Sequence, residues 1–220
     1  SNVSVCGNLK FDVTPAPDKI LLGRSWREAI GQRPVWLAAS TREGEEELVL
    51  TAWRKLAVPH ALLVLVPRHP QRFGAVAELL AREKISFGRR SEGLPGSETQ
   101  VWLGDSMGEM AAYFTLADVA FIGGSLLPLG GQNLIEAAAC GCPSVVGPHT
   151  FNFLQATADA IAAGAALRVD DADGLAAAIG RVFGDSGELG AMRAAALSFA
   201  AAHRGATERT VALIRSALTS

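Results

Sequence analysis

The chain predicts an α/β fold: a Rossmann-like, doubly wound parallel sheet. Two observations carry this reading. Short runs rich in Val, Leu and Ile recur along most of the chain, and segments of helical period separate them. Strands are expected at 3–6, 35–39, 62–66, 86–89, 100–103, 119–122, 144–146 and 166–169, all short, as strands covered on both faces tend to be. Amphipathic helices are expected at 43–56, 71–83, 109–116, 133–140 and 153–163, each long enough to cross between parallel strands. Pro70 marks the first turn of the second of these, and Gly141, between Cys140 and Cys142, marks the end of the fourth. A polar residue stands three positions ahead of a Glu at three helix starts, Ser40/Glu43, Ser106/Glu109 and Asn133/Glu136, which is the pattern of a capping box. From Asp171 onward the sequence is almost entirely Ala-rich helix, at 174–183 and then at 188–218 with a break, and this closes the domain.

The 220 residues fit one compact domain, read over 3–220, with an opening strand that starts at once, as if a further domain preceded it. Hydrophobic residues make up 49%, enough for a core and incompatible with intrinsic disorder. The net charge of -2 argues against nucleic acid as a partner. No apolar run approaches the ~20 residues of a membrane helix, so no direct membrane insertion is expected. Cys6, Cys140 and Cys142 form no paired framework and lack metal-site spacing, which points to a reduced, cytoplasmic setting without a bound metal. Arg89 and Arg90 read as a solvated pair, residues 91–98 as a mobile loop, and His60 and His203 as surface residues. The four Trp are spaced like core groups and not like a base-stacking platform.

Neither G-x-G-x-x-G after the first strand nor G-x-x-x-x-G-K-[ST] occurs, which disfavours dinucleotide enzymes and P-loop NTPases. The strongest candidate site is the stretch from Phe121 to Glu136, which runs from a buried strand through four glycines into a helix start. Gly130 and Gly131 would let backbone N–H groups approach a phosphate, with Ser125 in support. Glu136, one turn into the helix, suits a ribose diol, or it only closes a capping box with Asn133. Pro67-Arg68-His69-Pro70 ends a strand and aims Arg68 across the ligand crevice, where its planar cation suits a phosphate whose charge rises as a bond breaks. The alternatives are a surface Arg paired with a local acid and, for His69 and His149, a turn-stabilising hydrogen bond. Met107, Gly108 and Glu109, with Ser106, follow another strand and could grip a planar base.

Several segments in order resemble the 3-deoxy-D-manno-octulosonic acid (Kdo) transferases of lipid A biosynthesis. They are Gly7-Asn-Leu-Lys-Phe-Asp12, Ala38-Ala-Ser-Thr41 with Glu43-Gly-Glu45, Pro67-Arg-His-Pro70, Gly104-Asp-Ser-Met-Gly-Glu109, Gly123-Gly-Ser125, Gly130-Gly-Gln-Asn133 with Glu136, and Gly147-Pro-His-Thr-Phe-Asn-Phe153. The resemblance covers the C-terminal half of such an enzyme and implies one half of a GT-B glycosyltransferase, the half that binds the CMP-Kdo donor. It implies that Pro67 and Arg68 contact the CMP phosphate, Met107, Gly108 and Glu109 the base region, and Asn133, Leu134, Ile135 and Glu136 the phosphate and ribose. Ser40, His69, Ser125, Gly130 and Gly131 support that site. Gln132 stands where many members carry His, and Leu134 where Pro is common. The implied reaction is an inverting, metal-independent transfer without a cofactor to a lipid A precursor, at the cytoplasmic face of the bacterial inner membrane. Its general-base Glu lies in an N-terminal acceptor domain outside this chain, so no catalytic base is expected here and the isolated domain is expected to be inactive. The alternatives are a UDP-sugar transferase or epimerase of GT-B type and a non-catalytic nucleotide-binding module.

Overall fold

The computed structural model describes residues 12–205 and 210–215. The expected strand at 3–6, Cys6, and residues 7–11 of the first family segment lie outside the described residues. Seven parallel strands, β1 (Val35–Thr41), β2 (Leu62–Pro67), β3 (Phe87–Arg89), β4 (Val101–Leu103), β5 (Val119–Ile122), β6 (Ser144–Val146) and β7 (Ala166–Arg168), form one sheet in the order β3-β4-β2-β1-β5-β6-β7. Each strand in the described residues falls within a residue or two of its expected place.

Side chains alternate across the sheet and build one core on each face. On one face Val35, Leu37 and Ala39 pack with α1 (Pro17–Ile30), α4 (Met110–Leu116), α5 (Leu134–Ala139), α6 (Leu154–Ala162) and α8 (Ser186–His203). On the other, Trp36 and Ala38 pack with α2 (Glu45–Lys55), α3 (Arg72–Arg82) and α7 (Ala172–Gly184). Helix α1 has no counterpart among the expected helices. Only Gly23 and Trp26 of its 14 residues are buried, so its apolar stripe is too thin to stand out as a period. The long helix expected over 188–218 ends at His203, and residues 210–215 are again helical.

Strand order reverses at β1. The chain proceeds from β1 outward to β2 on one side and returns, after β4, to β5 on the other. In open α/β sheets such a switch leaves a crevice at the carboxyl ends of the two strands. Here the β1 end is irregular. The β1–β2 register shifts between Ala39 and Thr41, and Ser40 has a φ of 55°, a left-handed conformation uncommon outside glycine. Gly123, just after β5, accommodates this, because a Cβ there would lie 2.5 Å from the Ser40 carbonyl oxygen. Ser40 is therefore a bulged residue facing the crevice and not a helix cap. The capping box expected from Ser40 to Glu43 does not form, since α2 starts at Glu45 behind Gly44, and the Glu43 side chain is exposed.

Candidate functional site

Two contiguous compartments of about 220 and 360 Å³ open at the switch point and share Ser40, Arg68, Met110 and Glu136. The smaller adds Gln132, Asn133, Phe114 and Phe153; the larger adds Lys19, Pro67, Ser106, Met107 and Gly108. Three segments expected to carry the site, from β2, β4 and β5, thus converge on one crevice.

Arg68 is held by its backbone and free at its tip. Its N–H donates to the Thr41 carbonyl at 2.9 Å, so the bulged end of β1 fixes the turn after β2. The Thr41 hydroxyl donates to the Glu46 carboxylate at 3.1 Å, and Arg72, at the start of α3, donates to Glu46 at 3.0 Å and to Glu43 at 3.1 Å. The Arg68 side chain is exposed, and among the described residues no carboxylate lies within ion-pair distance of it. The alternative of a locally paired surface Arg is excluded. His69 is exposed and lines neither compartment.

The Glu46 network also predicts a pH effect. Burial pushes the Glu46 carboxyl above its ordinary 4.5, with Arg72 and Thr41 opposing. A carboxyl with a raised folded-state pKa contributes stability that is fully present below the ordinary value and is lost as pH rises through the raised one. Urea denaturation of wild type and Glu46→Gln should therefore show the wild type losing stability relative to the variant as pH rises from about 4.5. A relative gain over that window would contradict it.

The glycine-rich segment after β5 is pinned from beneath. Glu45, fully buried, accepts hydrogen bonds from the N–H groups of Gly124 (2.5 Å), Leu126 (3.1 Å) and Arg42 (3.0 Å). Ser125 is also fully buried: its hydroxyl donates to the Ile122 carbonyl and accepts from the Gly147 N–H at 2.9 Å. It ties the β5 and β6 loops together and cannot touch a ligand. Its carbonyl accepts the backbone N–H of His149 at 2.9 Å.

Contrary to expectation, Gly130 and Gly131 do not face the crevice. Both are buried and line neither compartment, and the Gly131 N–H is already donated to the Gly124 carbonyl at 2.7 Å. Gly130 serves packing instead, because a Cβ there would sit 2.2 Å from the Asn152 side chain. Asn133 caps α5, accepting the Ile135 N–H at 3.1 Å, and its amide donates to Glu136 at 3.1 Å. Helix α5 has only six residues, and Leu134 and Ile135 are buried in the core. Asn133 and Glu136 are the members of this run that reach the crevice, where Arg68 lines both compartments.

The loop after β4 rests on an aromatic cluster. Trp26 packs on Trp102 and Tyr113 with ring centroids 5.1 Å away in each case. Gly104 lets Tyr113 in, since a Cβ would approach its ring to 2.9 Å. The Ser106 hydroxyl donates to Glu109 at 2.5 Å and meets the Tyr113 hydroxyl at 2.8 Å. Burial raises the pKa of that phenol, which stays protonated as a hydrogen-bonding group. The Glu109 carboxylate is engaged by Ser106 and by Arg90 at 3.1 Å, and Glu109 lines neither compartment. Arg90, expected in solvent, lies 4.9 Å over the Trp26 ring, and Arg89 pairs with Asp105 at 3.6 Å. The 91–98 loop is likewise tied down, at Ser91 by Asp105 and at Gly93 by the Trp102 indole.

His203 departs from its expected surface position: it is half-buried against Phe199. Gly141, at a φ of 71°, ends α5 as expected, while burial pushes the Cys140 thiol up to about 11. Sequence reasoning missed Lys19, Met110, Phe114 and Phe153 as lining residues. Phe153 closes a family segment, whereas Lys19 carries no local signal because α1 itself was not recognised.

No protein-family model matches the chain. The 3-deoxy-D-manno-octulosonic acid transferase of Bordetella pertussis is 47% identical over 215 residues, covering 94% of this chain and 50% of the relative. The crystal structure of the C-terminal CMP-Kdo binding domain of WaaA from Acinetobacter baumannii superposes with a TM-score of 0.79 at 32% identity, covering 84% of this chain and 98% of that domain. The chain belongs to the Kdo transferase family. Within it, the chain spans about half the length of the Bordetella relative. A UDP-glucose complex of Anabaena HepE, at 13% identity and a TM-score of 0.63 over 97% of this chain, shares the GT-B type of Rossmann-like fold alone. The architecture expected for a Kdo transferase donor half is thus the one observed. Among the described residues no helix is long and apolar enough to cross a membrane.

Proposed function

We propose that this chain is the donor-binding half of a Kdo transferase and that the crevice at the switch point holds the nucleotide of CMP-Kdo. The observation that carries the reading is the convergence of Arg68, unpaired, and Glu136, oriented by Asn133, on one crevice at the ends of β1 and β5. The guanidinium takes the phosphate. One Glu136 oxygen is occupied by Asn133, and the other is open to ribose hydroxyls, which a carboxylate can only accept from. The larger compartment, walled by Met107, Met110, Pro67 and Val66, takes the pyrimidine.

In the reaction so proposed, a hydroxyl of a lipid A precursor attacks the anomeric carbon of Kdo. The carbon–oxygen bond to the phosphate breaks, and CMP leaves with inverted configuration at that carbon. The base that takes the hydroxyl proton belongs to the other half of the enzyme, at the cytoplasmic face of the inner membrane. Arg68 neutralises charge as it grows on the leaving phosphate.

Calorimetric titration of the chain tests this. CMP should bind more tightly than UMP, and Glu136→Ala should weaken CMP about tenfold, the loss of hydrogen bonds to a charged acceptor. A preference for UMP would favour a uridine-linked donor, equal affinity would remove base reading from the Met107 loop, and unchanged binding in Glu136→Ala would remove Glu136 from the site.

A further inference from the structure

We propose that Lys19 reads the nucleobase and selects cytosine over uracil. The inference rests on the CMP reading above and deepens it. Lys19 lies in the first turn of α1, with its side chain 35% exposed, and together with Ala16 it forms the α1 side of the larger compartment. Its place is fixed by the same scaffold that carries the Met107 loop. Four residues on and so on the same helix face, Gly23 brings α1 against α4 so closely that a Cβ would stand 2.4 Å from the Ala112 carbonyl oxygen. Trp26 then anchors α1 on Trp102 and Tyr113.

The other polar side chains of that compartment are accounted for. The Ser106 hydroxyl is engaged with Glu109 and Tyr113. Ser40, Arg68 and Glu136 sit at the junction with the smaller compartment, where phosphate and ribose belong. Among the described residues Lys19 keeps only an ion pair at 3.4 Å to Asp18, which is itself 70% exposed. Its ammonium is therefore the side-chain donor available to the edge of a base lying on Met107 and Met110. An ammonium donates and never accepts. Cytosine presents two adjacent acceptors, O2 and N3, to such a group, whereas the N3–H of uracil opposes it, donor against donor.

The test is a calorimetric titration of wild type and Lys19→Met with CMP and with UMP, the Met retaining the apolar stem. The expected result is an about tenfold loss of CMP affinity with UMP changed less than about twofold, so that the preference collapses. A Lys19→Met variant that keeps the wild-type preference overturns the inference and leaves the CMP reading standing. Equal weakening of both nucleotides overturns it too, because Lys19 would then act on the phosphate charge alone. A wild type that binds neither nucleotide overturns the CMP reading and this inference together.

Discussion

Glu45→Gln is expected to cost about 3 kcal/mol of folding stability, the largest effect of any single change considered for this chain. The carboxylate is fully buried and accepts from three backbone N–H groups, two of them in the loop between β5 and α5. A buried donor left without a partner costs about 1–3 kcal/mol, and a Gln amide both removes an acceptor and directs its own N–H toward those donors. Chemical denaturation should report the loss as a lower midpoint at unchanged slope, and thermal denaturation as a drop of roughly 6–12 °C for a domain of this size. The same change should loosen Asn133 and Glu136, whose loop Glu45 pins, so CMP affinity should fall with it. A loss under about 0.5 kcal/mol, the range of ordinary surface substitutions, would mean that the loop holds itself.

Arg68→Ala is expected to do the reverse, leaving the fold intact and emptying the site. The side chain is exposed and has no ion-pair partner among the described residues, so the stability change should stay within about 0.5 kcal/mol. Its hydrogen bonds to a phosphate are charge-assisted and placed against the wall of a crevice, so CMP affinity should fall between about tenfold and a hundredfold. Arg68→Lys should recover part of that, since an ammonium keeps the charge but lacks the planar fork. In an enzyme with both halves, turnover should fall further than affinity, because the charge on the departing phosphate is greatest as the bond breaks. Near-wild-type CMP binding in Arg68→Ala would sink the placement of the phosphate.

The strands were legible because a doubly covered parallel sheet leaves continuous apolar runs, and seven of the eight expected strands fall on the seven described ones. Helix α1 was not, since only Gly23 and Trp26 are buried, Leu22 and Ile30 are half-buried and Leu21 is exposed, so its apolar residues mark no clear face. Arg68, Asn133 and Glu136 were legible as crevice-lining residues because each sits at a fixed offset from a strand end. Ser125, Gly130 and Gly131 carried the same kind of signal and turned out to be supports. A hydroxyl or a glycine looks the same in sequence whether it faces a ligand or a neighbouring loop. Arg90 was misread for a related reason: its partner Glu109 is 19 residues away, and the Trp26 ring beneath it arrives from another helix.

By itself, then, the sequence determined the strand order along the chain, the family, and the three loops that carry the crevice, because these are local patterns of polarity and punctuation. The tertiary structure alone decided which side chains face that crevice. It did so through the reversal at β1, which sets β1 and β5 side by side, and through Glu45, Glu46 and Ser125, buried groups whose partners are far apart in the chain. A buried polar group must find its partner wherever folding puts one, and that choice is written in three dimensions and not in the spacing of residues.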